Sequence, residues 1–456
     1  PSVPHDEMVK RAIYVRGLKV VPSSVDIPTH FGPAFEGERV RKEDMQIEAG
    51  NPKFGIPCFE YLRTLPTDQV EDGKIEVIGP EIDELEPGSC IPLGIVVEVS
   101  GAKMQTDFEP ILERQIHTFL NCAQGIFHMG QRDTAWIRYS KDGFQAGLRF
   151  HHIGVILHAK LREEYSAIVD KCQVKIYTTL EDVQKYLEEA RKTYAARDAR
   201  MAGMTDESVD VFYSCTLCQS FAPNHVCIIT PEHPGLCGAY NWLDGRAAYE
   251  IVPTGPNQPV PKGRCIDEHL GQWEEVNKFV YEHSNRTIER MSAYSMLVDP
   301  MTSCGCFECI SAILPMCNGI MIVDRDYTEM TPCGMKFSTL AGSVGGGQQT
   351  PGFMGHSKMY ISSKKFMRAD GGFRRIVWMP SRLKEEIREA LDARAREDGE
   401  EGFLDKIADE TVANTEEEVL EYLQKVGHPA LSMDPVSYTH LRAHETRHDL
   451  VCRLLL

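Results

Sequence analysis

Cys304-Gly305-Cys306 sets two thiols one residue apart around a glycine. Such a unit can hold one metal ion through two sulfurs and two backbone nitrogens, an S₂N₂ plane of the kind that square-planar Ni(II) or Cu(II) prefers. Glycine suits the middle position because the metal lies almost on the backbone, where a Cβ would intrude. A bare Cys-Gly-Cys is common, and its weight here comes from four cysteines upstream. Cys215, Cys218, Cys227 and Cys237 follow the spacing C-x2-C-x8-C-x9-C. Four soft thiolates so close together suit a cuboidal [4Fe–4S] cluster or a tetrahedral zinc ion. Zinc sites usually come as two tight C-x2-C knuckles, and the second pair here is wide, which favours iron–sulfur. Pro223, Pro231, Pro234 and Gly235 fall between the ligands. The segment therefore reads as an irregular loop wrapped around something.

Other residues invite chemistry less strongly. The stretch 341–356 is glycine-rich but lacks the G-K-[ST] ending of a phosphate loop and the acidic residue of a dinucleotide fingerprint. It reads as a loop packed close to other backbone, or as a lid over the metal site. Arg132, Trp136 and Arg138 put two guanidinium groups beside an indole. They could bind an anionic cofactor with an aromatic ring, or simply meet surface carboxylates. The run 364–378 is locally basic and is expected to be a solvated strand face rather than a phosphate site. Cys309, Cys317 and Cys333 read as core thiols. No catalytic triad or H-E-x-x-H pattern appears.

These residues need a scaffold, and the chain is long enough to build one. At 456 residues two or three domains are expected. Asp and Glu total 67 against 49 Lys and Arg, and no basic–aromatic block occurs, which argues against nucleic acid as a partner. Fifteen cysteines without a secretory signal point to a reducing cytoplasm. No apolar run is long enough for a membrane span, and 91–99 reads as a buried strand. The expected fold is α/β in the mixed, α+β sense, with two domains, the C-terminal one carrying a metal cluster in irregular loops. Residues 1–200 would form an α/β domain with contacts to an anionic cofactor, 201–435 the cluster domain, and 436–456 a non-native tail.

Strands are expected at 12–21, 73–79, 93–99 and 173–179, and a helix near 111–127. A second helix, roughly 180–200, starts at a capping box of Thr178 with Glu181. It would bury Leu180, Val183, Leu187, Ala190 and Tyr194. A capping box of Thr415 with Glu418 opens a last helix that Gly427 and Pro429 stop. His440, His444 and His448 have a helical spacing, but they lie in the tail and are set aside. The start at Pro1 without an initiator Met points to a fragment.

The segments FYSCTLCQSFAPNHVCIITPE, GLCGAYNWLD, GPNQPVP, DPMTSCGCFE, ILPMCNGIMI and STLAGSVGGGQQTPGFMG resemble the catalytic subunit of acetyl-CoA synthase, from about Val9 to Pro435. The resemblance implies that Cys215, Cys218, Cys227 and Cys237 ligate a [4Fe–4S] cube and that Cys218 bridges it to a proximal nickel. It implies that Cys304 and Cys306 bridge that nickel to a distal one, held also by the backbone nitrogens of Gly305 and Cys306. It gives Phe221 the role of gating the small-ligand pocket. The activity so implied is acetyl-CoA synthesis from CO, coenzyme A and a methyl group donated by a corrinoid iron–sulfur protein, with carbon monoxide dehydrogenase as partner. Arg132, Trp136 and Arg138 are assigned to coenzyme A on charge and stacking. Bacterial members carry a further N-terminal domain that docks on the dehydrogenase, so the chain is expected to be either a fragment of such a protein, which its start and tail favour, or the shorter archaeal-type subunit. Two other functions fit the cysteines alone: an iron–sulfur electron carrier, with Cys304-Gly305-Cys306 incidental, and a zinc-stabilised interaction module.

Overall fold

The computed structural model describes residues 25–32, 40–51, 54–220 and 222–435. The strand expected at 12–21, the histidines of the tail, and Phe221 lie outside the described residues. The chain divides into two compact units, Pro1–Ala202 and Gly203–Leu456.

Among its described residues the first unit holds eight strands: β1 (Met45–Ala49), β2 (Cys58–Thr64), β3 (Ile75–Ile78), β4 (Ser89–Ile91), β5 (Leu93–Ser100), β6 (Ile126–Met129), β7 (Trp136–Ser140) and β8 (Lys171–Tyr177). They form two sheets, ordered β4-β1-β7-β6 and β2-β5-β8-β3. In the second sheet β2 and β5 run parallel, as do β3 and β8, while β5 and β8 run antiparallel. Every residue of β5 is buried, its Val, Ile and Leu residues by the apolar core and its one carboxylate, Glu98, by pairing with Arg63 and Lys175. The helix Leu180–Ala199 covers one face, setting Val183, Leu187, Ala190 and Tyr194 on Phe59, Tyr61, Val96 and Tyr177. The helices Glu109–Leu120 and His151–Glu164 pack on the same sheet.

Two details of the Leu180–Ala199 helix differ from expectation. Its N-cap is Thr179, whose hydroxyl accepts from the Asp182 N–H. Thr178 is not the cap because its own hydroxyl donates to Pro80 O (2.9 Å). Leu180, the first residue of the helix, is half exposed, and Arg197 takes a buried place at the other end. Arg197 is retained there by Glu113 (2.9 Å) and the Leu62 carbonyl (3.0 Å).

The second unit holds β9 (Val211–Cys215), β10 (Cys227–Ile229), β11 (Pro259–Pro261), β12 (Cys265–Asp267), β13 (Gln272–Trp273), β14 (Cys309–Leu314), β15 (Gly319–Asp324), β16 (Phe353–His356) and β17 (Ile376–Trp378). Its larger sheet is ordered β16-β14-β15-β17, and a smaller one β10-β9-β11. Parallel and antiparallel pairs again mix: β14 is antiparallel to β15 and β16, while β15 is parallel to β17. The basic run 364–378 is not a solvated strand face. Its strand, β17, is wholly buried, and its cations meet partners of the same unit, Lys364 and Arg374 at the surface. Lys364 meets Glu397, Lys365 Glu207, Arg368 the Glu268 carbonyl, Arg374 Glu400 and Arg375 the Asn318 carbonyl.

The last helix, Glu416–Val426, has the expected ends: a reciprocal Thr415–Glu418 capping box and Gly427 in the left-handed region at φ 64°. Replacing Thr415 with Ala is expected to cost about 1 kcal/mol, because one helix N–H loses its acceptor. Urea unfolding of the variant checks this. Among the described residues no helix is long and apolar enough to cross a membrane.

Candidate metal centre

The four-cysteine loop is built on the small sheet. β9 ends on Cys215 and β10 begins on Cys227, and their antiparallel register sets these two residues directly opposite each other. Between them a 3₁₀ turn, Leu217–Ser220, carries Cys218. Pro231 and Pro234 cannot donate to a ladder, so β10 stops short. The chain then turns at Gly235, whose N–H donates to Tyr240 O (2.8 Å), and so delivers Cys237. Burial pushes the Cys227 thiol well up, and the thiols of Cys215, Cys237 and Cys218 are near enough to push it further.

Cys304-Gly305-Cys306 leads straight into β14. Cys304 and Cys306 are buried, and the Cys306 N–H donates to Cys304 Sγ (3.3 Å). Cys304 also has the Cys218 thiol within hydrogen-bond reach. The adjoining thiols of Cys218 and Cys306, and then burial, hold it well above the ordinary thiol range. The structure thus brings the second member of the upstream set to the first member of the downstream pair. Gly305 has φ 100°. A Cβ there would meet nothing nearer than 3.7 Å, so space alone does not demand glycine. The left-handed backbone does. The Gly305 N–H donates to Ser303 Oγ (3.2 Å).

Two further ties join these segments, through residues that no sequence pattern singled out. Thr302 Oγ1 meets His225 Nδ1 (3.0 Å), and burial lowers His225 to about 4, so its ring is neutral. The Glu308 N–H donates to Leu236 O (3.1 Å), and its carboxylate fills the space beside Gly238 where a Cβ would stand. The only clue in the sequence is that both residues flank the ligand cysteines.

The donor set fits a thiophilic metal centre. Six cysteines on two loops share one neighbourhood, and none of the fourteen described cysteines is in a disulfide. Among the described residues, no three Cys, His, Asp or Glu side chains stand as a ready-made cage for one ion. The thiols are gathered, and burial with neighbouring thiols raises Cys227 and Cys304, so metal binding at these two is coupled to proton release.

The remaining candidates fall differently. Cys309 and Cys317 are fully buried core thiols. Cys333 bonds to Thr331 Oγ1 (3.2 Å). In the first unit, Trp136 and Arg138 come together: the guanidinium lies over the indole (4.4 Å), and both side chains donate to Glu48. Arg132 points elsewhere, to Asp198 (3.2 Å) and the ring of Tyr194. These ion pairs account for both arginines without a ligand.

The family described as the CO dehydrogenase/acetyl-CoA synthase complex beta subunit matches residues 27–183. The family described as the C-terminal part of the ACS/CODH beta subunit matches residues 194–437. The carbon monoxide dehydrogenase/acetyl-CoA synthase subunit alpha of Moorella thermoacetica is 55% identical over 95% of this chain and 59% of its own length. The acetyl-CoA decarbonylase/synthase complex subunit beta 1 of Methanocaldococcus jannaschii is 45% identical over 93% of this chain and 55% of its own. The corresponding beta subunit of Methanopyrus kandleri is 45% identical over 90% of this chain and 85% of its own. The chain therefore spans less than two thirds of the first two relatives and most of the third.

Proposed function

The chain belongs to the family of acetyl-CoA synthase subunits of the carbon monoxide dehydrogenase/acetyl-CoA synthase complex, and from that premise we propose that it catalyses acetyl-CoA synthesis from CO, a methyl group and coenzyme A. The observation that carries this beyond membership is the Cys218–Cys304 thiol contact. An electron carrier or a zinc module needs only the upstream four cysteines and gives that contact no use.

In this proposal Cys215, Cys218, Cys227 and Cys237 hold a [4Fe–4S] cluster. Cys218, Cys304 and Cys306 hold a proximal nickel. Cys304, Gly305 and Cys306 hold a distal nickel. Nickel held by these thiolates would supply an electron-rich place at which CO and a methyl group could meet. The protein's part is to hold the donors. The left-handed turn at Gly305 aims two backbone nitrogens and two sulfurs along one short segment. The neutral His225 keeps Thr302 in place, and Glu308 anchors the exit of the turn to the cluster loop. Phe221, outside the described residues, is assigned as the gate of the small-ligand pocket. For coenzyme A, partial exposure of Trp136 supports a stacking contact with the Trp136–Arg138 pair, and Arg132 is the weaker member of that assignment. The partners proposed are carbon monoxide dehydrogenase and a corrinoid iron–sulfur protein, and the location proposed is cytoplasmic.

Anaerobic loading with iron, sulfide and nickel tests the metal assignment. Nickel and iron are expected together, with more than one nickel per four irons. Because Cys304 and Cys227 are protonated at neutral pH, metal uptake must release protons, and apparent affinity is expected to rise with pH. Iron alone, zinc alone, or uptake without proton release would contradict the proposal.

A further inference from the structure

We infer that Gly345 and Gly347 are positioning residues that set the separation between the Cys218 loop and the Cys304-Gly305-Cys306 turn, and with it the ability to hold nickel. The inference rests on the metal assignment proposed above. The helix Phe337–Val344 closes with the Gly345 N–H donating to Ala341 O (3.0 Å). A Cβ on Gly345 would stand 2.8 Å from Ala341 O, 3.2 Å from Cys304 O and 3.2 Å from Gly305 Cα. Gly345 has φ −71°, which any residue adopts, so space alone reserves the position for glycine.

Two residues on, Gly347 donates its N–H to Ser303 O (2.8 Å). Its missing Cβ faces the other loop, 2.7 Å from His225 N and 3.0 Å from Asn224 C. One three-residue glycine run therefore touches the Cys304 turn at one end and the cluster loop at the other. The atoms it meets are backbone, so no change of rotamer relieves an added methyl group. Metal–ligand distances tolerate only about 0.2 Å, so displacing either segment weakens a metal shared between them. Gly345 presses on no residue of the four-cysteine loop, and Gly347 presses on it at Asn224 and His225 rather than at a cysteine, so the upstream set is expected to keep its iron.

Gly346 provides the control. Like Gly347, at φ 79°, it sits in the left-handed region, at φ 88°, but a Cβ on it meets nothing within 4 Å. Alanine at 346 carries the backbone cost without pushing either segment.

Gly345→Ala, Gly346→Ala and Gly347→Ala are loaded anaerobically with iron, sulfide and nickel, then dialysed against graded nickel chelator. Iron, nickel, cluster absorption and thermal unfolding are followed. Gly345→Ala and Gly347→Ala are expected to keep their iron and cluster absorption and to lose nickel at about tenfold lower chelator. Gly346→Ala is expected to hold nickel like the unsubstituted chain. Three results would overturn the inference: Gly345→Ala holding nickel undiminished, Gly346→Ala losing it as readily as Gly347→Ala, or iron leaving together with nickel in both contact variants. Failure of the unsubstituted chain to take up nickel would instead remove the metal assignment on which the inference stands.

Discussion

Replacing Cys304 with Ala is expected to leave iron bound and remove nickel, whereas replacing Cys218 with Ala removes both. The asymmetry follows from where the two thiols sit. Cys218 lies on the 3₁₀ turn inside the four-cysteine loop and also touches Cys304. Cys304 belongs to the turn before β14 and contributes nothing to the upstream set. Loss of Cys304 leaves Cys215 and Cys227 in register and Cys237 on its turn, so a cube can still assemble. In both variants acetyl transfer is expected to fall roughly 10³-fold, the scale of several kcal/mol of lost metal-based stabilisation. Anaerobic metal analysis beside a CO-dependent acetyl-transfer assay decides the matter. Equal loss of iron in the two variants would show that the thiols do not divide their work as proposed. Full transfer activity in Cys306→Ala would be equally damaging.

Stability is expected to fall steeply as pH drops below about 6.5, even in metal-free protein. His356 and His428 are buried, and burial lowers them to about 3 and about 4 respectively. Each ring is paired in its neutral form. His356 meets Ser311 Oγ (2.8 Å) and Ser357 O (2.9 Å). His428 meets Ile376 O (3.0 Å) and accepts from the Ala430 N–H (3.1 Å). The unfolded chain takes up protons on these rings below about pH 6.5 that the folded chain refuses. Their stabilisation is therefore whole above that pH and is lost progressively down to the lowered values. Between pH 7 and pH 5 the two together lose about 4 kcal/mol. Urea unfolding at pH 7 and pH 5 measures it. A His356→Gln, His428→Gln double variant should lessen the slope, with His225 and His233, which burial also lowers to about 4, supplying the remainder, and an unchanged slope would assign the acid sensitivity elsewhere.

Much of the site is legible in the sequence because cysteine chemistry is local. Soft donors at close spacing, broken by proline, announce a metal loop wherever they occur. The Thr415–Glu418 box and the Gly427 stop are legible for the same reason: both partners lie within one turn. Sequence patterns mislead where a residue's role depends on something distant. Thr178 has the spacing of a cap, but Pro80 claims its hydroxyl. Leu180 keeps the helical period but, as the first residue of the helix, is half exposed. The basic run 364–378 has the composition of a solvated face, yet carboxylates and carbonyls from Glu207 to Glu400 neutralise it. Arg132, Trp136 and Arg138, close in sequence, split between Glu48 and Asp198.

The sequence by itself singled out the six cysteines proposed to bind metal and the glycine between Cys304 and Cys306, but not that Cys215 and Cys227 face each other across paired strands. Tertiary structure decided that Cys218 meets Cys304, that Thr302 and Glu308 tie the two loops, and that Gly345 and Gly347 space them. It also changed the reason for Gly305 from room for a metal to a left-handed backbone. The physical reason is range: donor type and backbone preference are properties of a residue and its neighbours, whereas bringing together thiols from separate loops requires the sheets on which each loop is built.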